Sequence, residues 1–364
     1  MKYLVIILVL MGFALLPLIG GGRSDRASKN GGQGDSPYYP LSNRGTIEGV
    51  QYYRSGSRTP VQTQTRRGLV LAGGGSDVRQ AFDWMVDLAG KGDFVVIRIS
   101  GSDGYNDPQF IRGANSITTL IIDTREKADS DFVRQILLDA DALFMAGGDQ
   151  TAYYDTWAGT AVQQTMEFLY HQKGIPIGGT SAGMALLGGF VYAPTSGSAE
   201  SSVVLRNPFH RNMQDIRPAF LTVPLLDGVL TDTHWSERDR FGRTLAMMAR
   251  VMVDHDRDYS MIRGIAADEA TSITIDENGQ ARVFGSSRHP DYAYFMVPNG
   301  PPEVVQPGEA LHWPAGLTVY RVRGFENGRN SFDLVAWSGG EGVEVELVSV
   351  VQGVIDNDVQ RSSK

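Results

Sequence analysis

The amino-acid sequence predicts an α/β protein: a parallel sheet flanked by helices, followed by a β-rich C-terminal section. Three observations carry that reading. Short, continuous apolar runs alternate with amphipathic helical stretches between residues 68 and 177, the pattern of parallel strands buried on both faces. Glycine turns close three of those runs, at Gly73-Gly74-Gly75, Gly147-Gly148-Asp149-Gln150 and Gly178-Gly179-Thr180-Ser181. After Met261 the pattern changes to short alternating segments such as Ser272-Ile273-Thr274-Ile275 and Ala281-Arg282-Val283-Phe284.

Taken in order, the chain opens with Lys2, an apolar run over 3–19 and Gly20-Gly21-Gly22. This reads as a signal peptide over 1–22 that directs export to the periplasm or the medium, with an uncleaved membrane anchor as the alternative. Residues 23–66 are rich in Gly, Ser, Asn, Arg and Gln and read as a flexible linker. A catalytic α/β domain is expected over 67–285. It starts with a strand at Gly68-Leu69-Val70-Leu71-Ala72, then a helix capped by Ser76 or Asp77 with Phe82, Met85, Val86 and Leu88 on one side. Strands over 94–97 and 119–122, a helix over 129–138, a strand over 142–145, a helix over 152–170 and a strand over 175–177 follow. A β-rich C-terminal extension over 286–353 follows, with strands expected over 317–320, 332–335 and 343–351.

Composition narrows the function classes. Apolar residues make up 42% of the chain and charged residues 20%, enough for a sizeable core. The net charge of −8 argues against nucleic acid as a partner, since phosphate binding rests on a basic surface. There are 0 cysteines, which removes thiol catalysis, disulfides and cysteine metal sites together. Nothing in the pattern calls for a cofactor or metal.

In doubly covered sheets the active groups gather beyond the carboxyl ends of the strands, where the three glycine turns fall. Gly179-Thr180-Ser181-Ala182-Gly183 has the G-x-S-x-G form and sits between a predicted strand and the helical Met184-Ala185-Leu186-Leu187. A nucleophile at the tip of so tight a turn needs small neighbours, because its backbone is strained and the chain doubles back on itself. Ser181 is therefore the candidate nucleophile. Ala182 N–H is expected to supply one oxyanion donor and Gly148 N–H the second.

A serine hydroxyl needs a base to take its proton. Of the six histidines, His171, His210, His255, His289 and His312 lie at a helix end or in polar or Pro-flanked stretches. His234 instead follows the strand-like Gly228-Val229-Leu230-Thr231-Asp232-Thr233 and precedes Trp235-Ser236-Glu237, a plausible helix start. That places it where it can face Ser181. The third member is a carboxylate that orients the imidazole. Glu200 and Asp232 are the two candidates. Asp232 lies two residues from His234 on an extended segment, so the two side chains are expected to point the same way, which suits a shared face toward substrate. Glu200 is the preferred orienter, a choice that also draws on a resemblance to a known family.

Glu237-Arg238-Asp239-Arg240-Phe241-Gly242-Arg243 places three arginines at the start of a helix, against its dipole. The arrangement reads either as a salt-bridged solvated face or as a site for a substrate carboxylate. With Gly147-Gly148-Asp149-Gln150, Gly178-Gly179-Thr180-Ser181-Ala182-Gly183 and Asp232-Thr233-His234-Trp235-Ser236-Glu237-Arg238, the chain resembles the cyanophycinases over about 68–275. These are serine exopeptidases related to peptidase E, with a fold similar to class I glutamine amidotransferases. The resemblance implies hydrolysis of cyanophycin, a poly-aspartate carrying arginine on each side chain, to β-aspartyl-arginine dipeptides. It implies a triad of Ser181, His234 and Glu200, and a substrate pocket lined by Gln150, Asp232, Arg238, Arg240 and Arg243. Thr233 departs from the glutamine often found next to the histidine, and the C-terminal section is longer than in compact members. The alternatives are a related peptidase for other acidic or isoaspartyl peptides and a noncatalytic module that holds an acidic ligand; a homodimer is possible in each case.

Overall fold

The computed structural model describes residues 41–286, 291–340 and 342–358. The expected signal segment over 1–22 and the first part of the linker lie outside the described residues, as does His289. The strands, in chain order, are β1 (Arg44–Ile47), β2 (Val50–Gly56), β3 (Gly68–Ala72), β4 (Asp93–Arg98), β5 (Ser116–Ile121), β6 (Ala142–Met145) and β7 (Pro176–Thr180). They continue through β8 (Phe190–Tyr192), β9 (Ile216–Pro218), β10 (Val229–Asp232), β11 (Arg263–Ala267), β12 (Ser272–Asp276) and β13 (Gln280–Phe284). The last six are β14 (Tyr292–Pro298), β15 (Trp313–Arg323), β16 (Ser331–Asp333), β17 (Ser338–Gly339), β18 (Val343–Val351) and β19 (Val354–Asp358). The helices are α1 (Arg79–Leu88), α2 (Arg125–Ala128), α3 (Asp131–Asp139), α4 (Gln150–Trp157), α5 (Ala161–Phe168), α6 (Ala182–Ala185), α7 (Ser201–Arg206) and α8 (Phe241–Asp254).

Two sheets result. An 11-stranded sheet runs β1-β2-β5-β4-β6-β7-β3-β12-β13-β16-β17, and its middle, from β5 to β3, is parallel. An 8-stranded sheet runs β19-β18-β15-β14-β11-β10-β8-β9, with β10 parallel to both β11 and β8. The expected α/β class is thus observed, and strand alternation explains the layers. Val70, Phe94, Val96 and Phe144 face α1, whose Phe82, Met85 and Val86 fill that side. Leu69, Leu71, Val95 and Ile97 face the opposite way, toward Phe132 and Leu137 of α3, Met166 of α5 and the inner face of the second sheet through Val229, Ile265 and Phe295. On the far face of that sheet α8 buries Leu245, Met248 and Met252 with Leu230 and Ala266.

Several elements differ from the sequence reading. The stretch read as a linker contains β1 and β2, and β2 pairs antiparallel with β5, Tyr52 opposite Leu120. Tyr52 is buried against the Phe132 ring at 5.7 Å, which anchors the hairpin on the core. The helix expected over 152–170 is broken into α4 and α5 at Gly159, whose φ of 75° no helical residue adopts. Helix α1 starts one residue after Val78, with neither Ser76 nor Asp77 capping it. No division falls at 286: β16 joins β13 in the first sheet, while β14, β15 and β18 continue the second. Phe332 of β16 stacks on Phe295 of β14 at 4.0 Å and 5°, closing the core between the sheets.

Candidate active site

Strand β7 delivers Ser181, the candidate nucleophile. Ser181 leaves it with φ 53° and ψ −114°, a conformation that a β-substituted residue holds only when its surroundings fix it. The fixing is visible. Ser181 N–H donates to Ala72 O of the neighbouring β3 at 2.9 Å, and Ser181 O accepts from Ala185 N–H at 3.0 Å. A Cβ at Gly179 would lie 2.3 Å from the Gly183 carbonyl carbon, so the strand and α6 cross at a distance only glycine permits.

The candidate base, His234, arrives from the second sheet. His234 lies two residues past β10, and its Nε2 is 2.7 Å from Ser181 Oγ. Its N–H donates to Gly73 O at 2.8 Å, which ties the segment to the glycine turn after β3. A Cβ at Gly74 would lie 2.3 Å from the imidazole, so the turn must be bare for the ring to occupy this position. On the other nitrogen, Nδ1 is 2.5 Å from Glu269 Oε1. Burial holds His234 below the ordinary histidine value of 6.5, opposed by the hydrogen bond to Glu269 and reinforced by the charges of Arg238 and Arg240.

Glu269 was not anticipated by the sequence reading, and it, rather than Glu200, stands against His234 Nδ1. Glu200 is exposed at the start of α7 and makes no cap hydrogen bond. The register explains the exchange. β10 and β11 run parallel with Asp232 opposite Ala266, so the residues just past Ala267 emerge beside those just past Asp232. Residues 268–271 then carry the chain from the second sheet to β12 in the first, with Ala270 N–H bonded to Gly74 O and Thr271 O to Gly73 N–H. Glu269 sits on that crossing. The available signal was an acid pair closing the apolar Ile265-Ala266-Ala267 run.

Asp232 is likewise displaced from its expected role. The positive φ of His234, 47°, ends the strand alternation, so the two side chains diverge. Asp232 is 2% exposed and its carboxyl is fully occupied by Arg243 Nε at 3.1 Å and Nη2, Thr244 Oγ1 at 2.8 Å and Thr233 N–H at 2.8 Å. Arg243 is 3% exposed and also donates to Ser198 Oγ. The buried acid answers the question of the arginine at a helix start: Arg243 pairs with Asp232. Neither residue offers a free group to substrate. Arg240 donates to Thr233 O at 2.8 Å, and burial followed by the charge of Arg243 pushes its guanidinium down to about 10. Arg238 is the accessible cation, its side chain 53% exposed and its Nη2 3.9 Å from Glu269 Oε1.

The turn after β6 completes the surroundings of Ser181. A Cβ at Gly147 would lie 3.6 Å from Ser181 Cβ, so this turn abuts the nucleophile. Tyr153 Oη donates to Ala146 O and Gly147 O, both at 3.1 Å, and holds it in place. Gly148 N–H and Ala182 N–H make no backbone hydrogen bond among the described residues. Gln150 begins α4 directly after Asp149, which caps the helix through Thr151 N–H at 2.8 Å. Among the described residues no group of His, Asp or Glu side chains is arranged to hold a metal ion.

The profile of Peptidase family S51 matches residues 113–200. The cyanophycinase of Trichormus variabilis is 26% identical over 256 residues, covering 67% of this chain and 79% of that one. The cyanophycinase of Synechococcus elongatus is 27% identical over 242 residues, covering 63% of this chain and 69% of that one. Among solved structures, a peptidase from an acI-B1 Actinobacterium superposes with a TM-score of 0.45 at 18% identity, over 64% of this chain and 91% of that chain.

Proposed function

We propose, from the premise that this chain is a cyanophycinase-like serine peptidase of family S51, that it cleaves cyanophycin to β-aspartyl-arginine dipeptides through an acyl-enzyme on Ser181. The observation that carries the proposal is the unbroken relay from Ser181 Oγ to His234 Nε2 at 2.7 Å and from His234 Nδ1 to Glu269 at 2.5 Å, with Arg238 against that acid. In the first step His234 takes the Ser181 proton as Oγ bonds to the scissile carbonyl carbon. The developing oxyanion is received by Ala182 N–H and Gly148 N–H. His234 then returns the proton to the leaving amine, and water, activated by the same nitrogen, releases the acyl product. Glu269 fixes the imidazole tautomer throughout. Arg238 and, behind it, Arg240 give the surroundings of His234 a positive field suited to a substrate carboxylate, and Gln150 starts α4 just past the turn that abuts Ser181.

The arrangement of helices on a sheet whose middle, β5 to β3, is parallel, with Ser181 in the elbow after β7, supports the glutamine amidotransferase-like fold as part of this proposal. Its secreted character rests on Lys2 and the apolar run over 3–19. The test is incubation of the purified protein with cyanophycin and mass spectrometry of the products, with Ser181→Ala as control. Dipeptides from the wild type alone are expected; none from the wild type refutes the polymer assignment. A second reading, hydrolysis of other acidic or isoaspartyl peptides, is favoured by one observation: Asp232 is consumed by Arg243 and leaves no free carboxylate there for a substrate guanidinium. Turnover of β-aspartyl peptides without release of dipeptide from the polymer would decide for it.

A further inference from the structure

One buried acid stands next to the relay without belonging to it. Asp268 is 3% exposed and directly precedes Glu269. Its Oδ1 accepts a hydrogen bond at 3.0 Å from the N–H of Ser236, two residues past His234. Its Oδ2 accepts from Tyr292 N–H and from Tyr294 Oη on β14, both at 3.1 Å. Ser236 Oγ lies 3.1 Å from the same Tyr294 Oη, which closes a ring through the acid, the turn after His234 and the strand. The backbone of Asp268 is fixed as well, its N–H donating to Tyr292 O at 3.0 Å.

The backbone held in this way is the part that most needs holding. His234 has a φ of 47°, which a residue with a side chain keeps only where its surroundings fix it. Before that point, His234 N–H donates to Gly73 O at 2.8 Å. After it, Trp235 N–H reaches Ala267 O only at 3.3 Å, beyond the usual range for such a bond. Ser236 N–H makes no backbone hydrogen bond among the described residues, so the Asp268 carboxyl is what receives it. The Trp235 ring packs on Tyr294 with centroids 4.0 Å apart, which draws the same turn toward the same strand.

We propose that Asp268 is a positioning residue of this peptidase: it pins the turn after His234 to β14 and, as the residue before Glu269, sets base and orienting acid from one grip. Being buried, it acts through those two residues and does not touch substrate. The strand that completes the grip lies beyond residue 286, with Tyr294 opposite Ala266 in register. The C-terminal section therefore has a task in the relay: its two tyrosines hold the acid that holds the base.

The inference rests on His234 being the base for Ser181, so the experiment reads that separately. Asp268→Ala and Tyr294→Phe are made in the full chain, each alone and together with His234→Ala. The rate of Ser181 modification by a small fluorophosphonate is followed by intact mass, with kcat and KM on the substrate turned over. A base misplaced by a fraction of an ångström loses on the order of 10- to 100-fold, which is expected in labelling rate and kcat for Asp268→Ala, with KM within about twofold. Tyr294→Phe removes one bond to the acid and the link to Ser236 Oγ, and is expected to lose roughly 3- to 10-fold. With His234 already replaced there is no base left to position, so both substitutions should then change the residual labelling less than about twofold. Asp268→Ala within threefold of the wild type overturns the proposal, as does the same loss in both backgrounds, which would mark a general structural role. If Asp268→Ala does not fold, Tyr294→Phe in the two backgrounds decides alone. His234→Ala labelled as fast as the wild type instead refutes His234 as the base, and the positioning role falls with it.

Discussion

Replacing Glu269 by glutamine tests the relay most directly. The carboxylate accepts the Nδ1–H of His234 at 2.5 Å, and its side chain is 35% exposed. A hydrogen bond to a charged partner contributes about 1.5–3 kcal/mol, which is roughly 10- to 150-fold in rate. The amide adds a second loss, because it can present its N–H to the imidazole and favour the wrong tautomer; a fully buried triad acid loses about 10⁴-fold by this route. Partial exposure lets water compensate, so kcat of Glu269→Gln is expected to fall about 10²–10³-fold, between those limits. KM should stay within about twofold, since Glu269 faces the imidazole rather than the substrate. The assay is initial rates of product release, with a thermal melt to establish folding. Glu200→Gln is the internal control and should stay within about twofold, as expected for an exposed residue outside the relay. A Glu269→Gln variant within threefold of wild type, or a tenfold loss in Glu200→Gln, would refute the assignment.

Two other predictions follow from the same geometry. His234 acts as base only when neutral, and burial holds it below 6.5, so the acid limb of kcat/KM should lie below that value; Arg238→Gln, which removes a charge that lowers it, should move the limb upward, and an unmoved or lowered limb would contradict this account. Phe332→Ala opens the stacked contact with Phe295 in the fully buried core and should cost about 3–5 kcal/mol, with circular dichroism and activity lost in one transition; two separate transitions would mean that the C-terminal strands fold apart from the rest.

The parts of this molecule legible in the sequence are those set by local pattern. The runs 68–72 and 142–145 are apolar throughout because both faces are covered, and the glycine turns mark where those strands end. Ser181 and His234 could be singled out for that reason, each lying just past a strand. Glu269 was not, because its role is fixed by the parallel register of β10 and β11 and by a crossing between sheets, neither of which leaves a mark at one position. Asp232 was misread because extended alternation was carried one residue too far, through a histidine with positive φ. The β1–β2 hairpin escaped notice because few of its residues, Val50 and Tyr52 among them, are buried, and the rest look like linker.

Ser181 stands on the 11-stranded sheet, while His234 and Glu269 come from the ends of strands in the 8-stranded one. In the proposed mechanism proton transfer therefore takes place across a seam, and the 2.7 Å contact between Ser181 and His234 depends on how the two sheets are aligned. A slip of one sheet against the other, too small to expose core or change helix content, would silence the chemistry while leaving the protein folded. The strands beyond β12, which alternate between the two sheets, act as the stitching of that seam. Turnover in this peptidase is thus a gauge of quaternary-like fit within a single chain, and substitutions in stitching strands far from any substrate can set its rate.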